Sequence, residues 1–355
     1  MSPHGKIDVH HHVIPPAFSQ AMERHGLREV AGAPLPRWTP TRSLSVMEEN
    51  DIATALLSLS CPGVYFGDLA EAVDLARRCN DSVAELTRLH PGRFGSFAVL
   101  PMPFVEESCA EAIRALDVLH ADGVVLLGST EGVFLGAPRL EELMAELDAR
   151  GATVFVHPNL HATSTTLGLE GPGFLLEFLC DTTRAALNLI LTGTMERYPR
   201  IRFILAHAGG FLPYAAWRLS LANLMPPYDT QAPQGILTYL RRFYFDTALS
   251  PGAPTLAALR EFVDPSHLLF GSDFPFAPEP ITALQVKTLK ESHVLSPDLR
   301  AGVDRAHALR LFPRYASASE HPEPLPTPPR EAALDRVKRL LRRPLVSVAQ
   351  RLRDR

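Results

Sequence analysis

Apolar residues along the chain recur with two spacings that take turns. Short runs rich in β-branched and aromatic residues fall at Lys6–Pro15, Ala53–Ser60, Phe94–Leu100, Gly123–Leu127, Thr153–His157, Ile201–His207, Phe243–Thr247 and Leu268–Ser272. Gly, Pro or polar clusters bound them, as expected of strands. Between these runs, apolar positions return every three or four residues. In the stretch opened by Asp68, for example, Leu69, Val73, Ala76, Val83 and Leu86 keep one helical face until His90-Pro91-Gly92 stops it. The same spacing predicts helices over Arg42–Asn50, Val105–Leu119, Leu140–Ala149, a region ending near Tyr198, Phe211–Leu224, Thr255–Phe262 and segments between Ile281 and Leu311. Apolar strands alternating with helices predict an α/β fold with a parallel sheet, and eight such strands close a (β/α)8 TIM barrel.

Two stretches break the alternation. From Ala17 to Pro40 the chain carries scattered Gly and Pro and no period, which reads as an N-terminal excursion over the barrel mouth with Trp38 as its large aromatic. From Pro313 to Pro329 the composition shifts to Pro, Ser and Glu, the signature of a linker. Beyond it, residues 330–355 hold nine Lys/Arg against three acidic residues, and Leu341, Leu345, Val348 and Leu352 recur at helical spacing with Pro344 bending the run. The organisation read from this is a barrel over 1–312, a Pro-rich linker over 313–329 and a basic, amphipathic C-terminal helical arm over 330–355. The arm is expected to dock on the barrel or on a partner subunit in preference to an anionic surface.

Composition narrows the class. An apolar content of 46% and a charged content of 21% describe a globular, enzyme-like chain of 355 residues. A formal net charge of -4 argues against nucleic acid as a general partner. The four cysteines, Cys61, Cys79, Cys109 and Cys180, show neither paired metal spacing nor a secreted disulfide pattern, so a reducing cytoplasm is expected. No apolar run reaches membrane-spanning length, and no stable membrane insertion is expected.

The chemistry concentrates at predicted strand ends, where barrels of this kind place their active sites. The first strand reads K-I-D-V-H-H-H-V-I-P. Strict alternation puts Asp8, His10 and His12 on one face and His11 on the other, and two imidazoles one residue apart converge on a divalent ion. His11 is accordingly expected to be dispensable for metal and activity. The fifth strand ends in His157 (V-F-V-H-P-N), the sixth in His207 (I-L-A-H-A-G-G) and the eighth in Asp273 (L-F-G-S-D-F-P-F). Nitrogen and oxygen donors without sulfur suit zinc or manganese better than an iron–sulfur or copper–thiolate centre.

The pieces I-D-V-H-H-H-V-I-P-P, L-S-L-S-C-P-G-V-Y-F-G-D, H-P-G-R-F-G, F-V-H-P-N, H-A-G-G-F-L-P-Y and L-F-G-S-D-F-P-F follow one another from Lys6 to about Phe312. Together they resemble the amidohydrolase superfamily, in its aminocarboxymuconate-semialdehyde decarboxylase-like branch, nearest to 6-methylsalicylate decarboxylase-like members. The resemblance implies that His10, His12, His157 and Asp273 hold one divalent metal, zinc ahead of manganese, and that His207 handles protons with Asp273. Strand four, G-V-V-L-L-G-S, lacks the bridging lysine of two-metal relatives, which agrees with a single ion. Arg218 matches a position from which some relatives reach into a neighbouring subunit to hold a substrate carboxylate, implying a homodimer or higher homo-oligomer. Arg42 aligns loosely with a second carboxylate-binding arginine, and Trp38, Phe276 and Tyr65 are candidates for an aromatic pocket.

What the resemblance implies is a metal-dependent, non-oxidative decarboxylase of a hydroxybenzoate-like or related unsaturated carboxylic acid. The alternative left open is a hydrolase of an amide, lactone or ester, or a hydratase, working through a metal-activated water.

Overall fold

The computed structural model describes residues 4–168, 170–225 and 227–341. Eight parallel strands hydrogen-bond in sequence order: β1 (Lys6–His12), β2 (Ile52–Ser58), β3 (Phe94–Val99), β4 (Gly123–Leu127), β5 (Thr153–His157), β6 (Arg202–Leu205), β7 (Tyr244–Asp246) and β8 (Leu268–Leu269). The last strand returns to the first through Val9 N–H to Phe270 O (3.0 Å) and Asp273 N–H to His10 O (2.8 Å). The sheet is thereby a nearly closed barrel, and the strands read from the sequence are the strands that build it.

Alternation along each strand divides the core in two. Ile7, Leu56, Phe97, Val125, Phe155 and Ile204 point into the barrel as one buried cluster. Their immediate neighbours, such as Leu57, Ala98, Val124, Val154 and Phe203, pack outward against the helices. A fully buried side chain of this size contributes roughly 1.5–3 kcal/mol. Local signals start the helices: α2 (Pro40–Glu49) opens with Thr39 Oγ1 accepting Arg42 N–H (3.2 Å), and α3 (Leu69–Leu89) with Asp68 accepting Glu71 N–H (2.8 Å). Asp68 is the cap that the sequence indicated. No helix among the described residues is long and apolar enough to cross a membrane.

Three segments depart from the sequence reading. Residues 17–40 are not wholly irregular, because α1 (Pro16–Arg24) buries Phe18, Ala21 and Met22 on one face. A two-stranded ribbon of Glu29–Val30 and Ala33–Pro34 follows it over the mouth. The α4 helix (Val105–Ile113) gives way to a wider π turn over Arg114–Val118, where Arg114 pairs with Glu111 and Asp81. The expected linker is packed: Arg314 and Tyr315 both donate to Asp122 (2.6 and 2.8 Å), and residues 325–329 line a cavity with Arg200, Arg202 and Tyr244 on the underside of the barrel. The described part of the arm is helical over 333–341 and docks on the barrel, with Arg339 donating to Pro233 O (2.8 Å) and pairing with Glu331. Pro344, Leu345, Val348 and Leu352 lie outside the described residues.

One buried cation ties the chain end to the barrel. Arg305, 6% exposed, donates to Gly5 O (3.0 Å), Tyr315 O (2.9 Å) and both oxygens of Glu320 (2.7 and 2.8 Å). Those bonds, outweighing partial desolvation, pull the Glu320 carboxyl down to about 2. A depressed carboxyl stabilises the fold above its unfolded pKa and stops doing so as pH falls through its folded value. Glu320→Gln is therefore expected to cost about 1–2 kcal/mol at pH 7, allowing for solvent around the pair. That difference should vanish as pH falls from about 5 to about 2, read by urea unfolding of both proteins; a pH-independent difference would contradict it.

Candidate metal centre and active site

Five polar side chains meet at the carboxyl end of the barrel, over an apolar floor. The floor is Phe155, fully buried, stacked on Phe97 (5.5 Å between centroids) and edge-on to the His10 ring (4.8 Å). Above it, His10 Nε2 lies 3.0 Å from His12 Nε2 and 3.2 Å from Asp273 Oδ1, which is itself 3.0 Å from His12 Nε2. With His157 they form a buried set whose donor atoms all lie within 4.8 Å of one another.

The backs of the rings show what this set is built for. His10 Nδ1 bonds Asp246 Oδ2 (2.7 Å), His12 Nδ1 bonds the Ser58 carbonyl (3.2 Å) and His157 Nδ1 bonds the Pro158 carbonyl (2.8 Å). Each acceptor claims the Nδ1 proton, so the Nε2 lone pairs face one another. Lone pairs 3.0 Å apart on fully buried rings repel unless a positive charge lies between them, and three imidazoles with one carboxylate match a divalent cation. The electrostatics agree. Burial pushes His12 down, and burial plus the neighbouring imidazoles pushes His157 well down, keeping both neutral. Burial would raise Asp273, but the charge on His10 and the close imidazoles of His10, His12 and His207 hold its carboxyl well below the usual range. Burial would lower His10, yet Asp246 and Asp273 more than offset this and raise it to about 10, so a proton there stands in for the cation.

His207 sits beside this set with Nε2 3.6 Å from Asp273 Oδ2, and its Nδ1 is buried without a hydrogen-bond partner among the described residues. Its backbone N–H donates to Asp246 Oδ1 (2.9 Å). His207 and Ala208 adopt left-handed φ of 53° and 57°, an arrangement worth of order 1–3 kcal/mol of strain held at the site. The glycines that follow are required: a Cβ on Gly210, at φ 64°, would stand 2.3 Å from Leu179 O.

A cavity of about 360 Å³ opens above these groups. Asp273, His157 and His207 form its polar end, while Phe276, Phe178, Leu249 and the ribbon residues Val30 and Ala33 give it apolar walls. Among the described lining residues there is no Arg or Lys. Phe276 lines it as anticipated, 5.4 Å from the His12 ring. Several other candidates fall elsewhere. Trp38 packs outside the cavity with its indole bonded to Ser43 Oγ (2.8 Å), and Tyr65 packs on Phe104. Arg42 pairs with Glu279, and Arg218 lies exposed on α5 (Leu212–Ser220), away from this chain's own cavity. Asp8 departs from the expected face because β1 carries a register irregularity between Asp8 and His11, which breaks strict alternation. Its carboxyl turns to His11 Nδ1 (3.0 Å) and leaves only His10 and His12 of that strand in the donor set.

Asp246 escaped the sequence reading, although it ends strand seven in F-Y-F-D-T as the other site residues end theirs. It is fully buried and joins His10, His207 and Ala248 through its two oxygens. Asp246→Asn is expected to weaken divalent-metal affinity about 10–100-fold while the barrel stays folded. Chelator competition measures this, and unchanged affinity would contradict the orienting role.

The amidohydrolase family profile matches residues 7–314. A 6-methylsalicylic acid decarboxylase of Penicillium expansum is 37% identical over 317 residues, covering 87% of this chain and 96% of that protein. A solved structure described as amidohydrolase II superposes with a TM-score of 0.82 at 33% identity, covering 87% of this chain and 99% of its own. The barrel also matches, at a TM-score of 0.77 and 24% identity, a dihydroxybenzoic acid decarboxylase from Polaromonas sp. JS666 with bound manganese and the inhibitor 2-nitroresorcinol, covering 88% and 98% of the two chains. This chain belongs to the amidohydrolase family, in the branch that holds the 6-methylsalicylic acid decarboxylases.

Proposed function

We propose that this chain is a metal-dependent, non-oxidative decarboxylase of hydroxybenzoate-type acids, a carbon–carbon lyase. In this reading His10, His12, His157 and Asp273 hold one divalent ion and His207 delivers the proton. The observation that carries it is the four-donor cluster at the polar end of an apolar cavity, in a chain 37% identical to a 6-methylsalicylic acid decarboxylase. When bound, a divalent ion supplies a Lewis acid that draws charge from the substrate's carboxylate or phenolic oxygen. The donor set takes zinc, the ion expected from the sequence, or manganese, the ion bound in the Polaromonas structure.

Direct loss of carbon dioxide would strand a carbanion on the ring, so the carbon bearing the carboxylate takes a proton first. His207 is the group to hold that proton at Nε2, beside Asp273 Oδ2 and facing the cavity. The electrons of the broken carbon–carbon bond then return to the ring as carbon dioxide leaves, and His207 regains its proton from solvent. Phe276, Phe178 and Leu249 hold the ring and exclude water, which works against hydrolysis.

The test is a panel of hydroxybenzoates offered to metal-stripped protein reloaded with zinc or with manganese, with products analysed by mass. Carbon dioxide and the decarboxylated phenol are expected only with metal. His157→Ala and Asp273→Ala should lose both metal and turnover, and His207→Asn should keep metal and slow turnover by roughly 10²-fold or more. Full metal content in both ligand variants would overturn the site; hydrolysis of a lactone or amide with no ring acid decarboxylated would overturn the reaction.

The chain is also read as a homodimer or larger homo-oligomer. Tyr214 (91% exposed) and Trp217 (74% exposed) flank Arg218 on the outer face of α5, an apolar surface suited to a second copy. A cavity without its own Arg or Lys among the described lining residues suits a carboxylate-binding cation from a neighbour. Mixing inactive Arg218→Ala with inactive His157→Ala chains should restore partial activity, and a fully active monomer in sedimentation would contradict this.

A further inference from the structure

A buried chain of hydrogen bonds runs behind β1, on the side away from the cavity. It begins at Trp38, whose indole N–H donates to Ser43 Oγ (2.8 Å). Ser43 Oγ meets His11 Nε2 (2.9 Å), and His11 Nδ1 meets Asp8 Oδ2 (3.0 Å). An indole only donates, so the Ser43 hydroxyl turns its hydrogen to His11 Nε2 and leaves Nδ1–H for Asp8. Asp8 Oδ2 also accepts Ser272 Oγ–H (2.6 Å), while Oδ1 accepts Ser272 N–H (3.0 Å) and His10 N–H (3.1 Å). Four donors thus meet the roughly four acceptor positions of one carboxyl group. Asp8, His11, Ser43 and Ser272 are all fully buried. The order Ser–His–Asp is not a hydrolytic triad here, because Ser43 is shut away from the cavity and its hydroxyl is already engaged at both ends.

Two of the groups held by Asp8 are the backbone of the metal site. One is the N–H of His10, and the other is the N–H of Ser272, the residue before Asp273. Ser272 Oγ in turn accepts Phe274 N–H (3.1 Å), so both neighbours of Asp273 are fixed from the same carboxyl. Asp273 itself has a left-handed φ of 61°, a conformation that persists only where its surroundings hold it. The His11 ring also lies against Phe274, 5.1 Å between centroids.

We infer that His11 is a positioning residue for the metal centre, acting through Asp8 and Ser272 to hold the backbones of His10 and Asp273 so that their donor atoms meet. This rests on the reading of His10 and Asp273 as metal ligands, and it reverses the expectation from strand alternation that His11 is dispensable. Trp38, offered by the sequence as a pocket residue, becomes the outer end of the same chain.

The test compares His11→Leu, which fills the space without a donor, with His11→Asn, which keeps a donor for Asp8, and with Ser43→Ala. Zinc and manganese affinities are measured by chelator competition on folded protein, with circular dichroism and thermal midpoint alongside. His11→Leu is expected to weaken metal binding about 10–100-fold, His11→Asn to stay within about threefold of wild type, and Ser43→Ala to fall between them. A lowered thermal midpoint with wild-type metal affinity in His11→Leu would make the network merely structural and overturn the inference. If His11→Leu does not fold, Ser43→Ala decides: a loss of about threefold or more supports it, and wild-type affinity overturns it. His157→Ala is the control. Metal loss there with none in the His11 and Ser43 variants defeats the positioning role alone, whereas normal metal binding in His157→Ala defeats the site itself.

Discussion

Fully buried imidazole nitrogens turned toward one another at 3.0 Å require a positive charge between them. Most of the architecture at this end of the barrel serves that constraint. The strand ends bring the donors together, and Asp246, Ser58 O and Pro158 O take the outer ring protons so that the inner lone pairs converge. Phe155 beneath and Phe276 beside the set keep the surroundings apolar, which strengthens every charge interaction there. The same apolar walls suit an aromatic ring, so the demand for a metal and the demand for a hydrophobic substrate are met by one cavity.

Much of this was legible in the chain. The two apolar periods located every strand of the barrel, and the rule that chemistry sits at the carboxyl ends of barrel strands singled out His10, His12, His157, His207 and Asp273, which the fold brings together. Such features survive translation from sequence because they depend on period and position, both of which are local. Of the three aromatic pocket candidates, Phe276 lines the cavity, three residues beyond Asp273.

The rest depends on contacts that the chain does not advertise locally. The irregularity in β1 between Asp8 and His11 turns Asp8 from the cavity to His11, and nothing in I-D-V-H-H-H announces it. Trp38 was a pocket candidate as the large aromatic of a segment without a period, and Arg42 only through a loose resemblance to a carboxylate-binding arginine. Their partners, Ser43 and Glu279, are chosen by packing. The Pro-rich segment after the barrel has the composition of a linker but is held by Arg305 and Asp122, long-range partners that composition cannot reveal. Asp246 is different: it obeys the strand-end rule that found the other residues, and a stricter use of that rule would have found it.

The central claim, that proton delivery to a ring carbon and not attack by water drives this site, is tested most directly by isotopes. A hydroxybenzoate is turned over by the metal-loaded protein in heavy water and, separately, in oxygen-18 water. The account predicts one deuterium on the carbon that carried the carboxylate and no oxygen-18 in the phenol. Oxygen-18 in the product without release of carbon dioxide would contradict it.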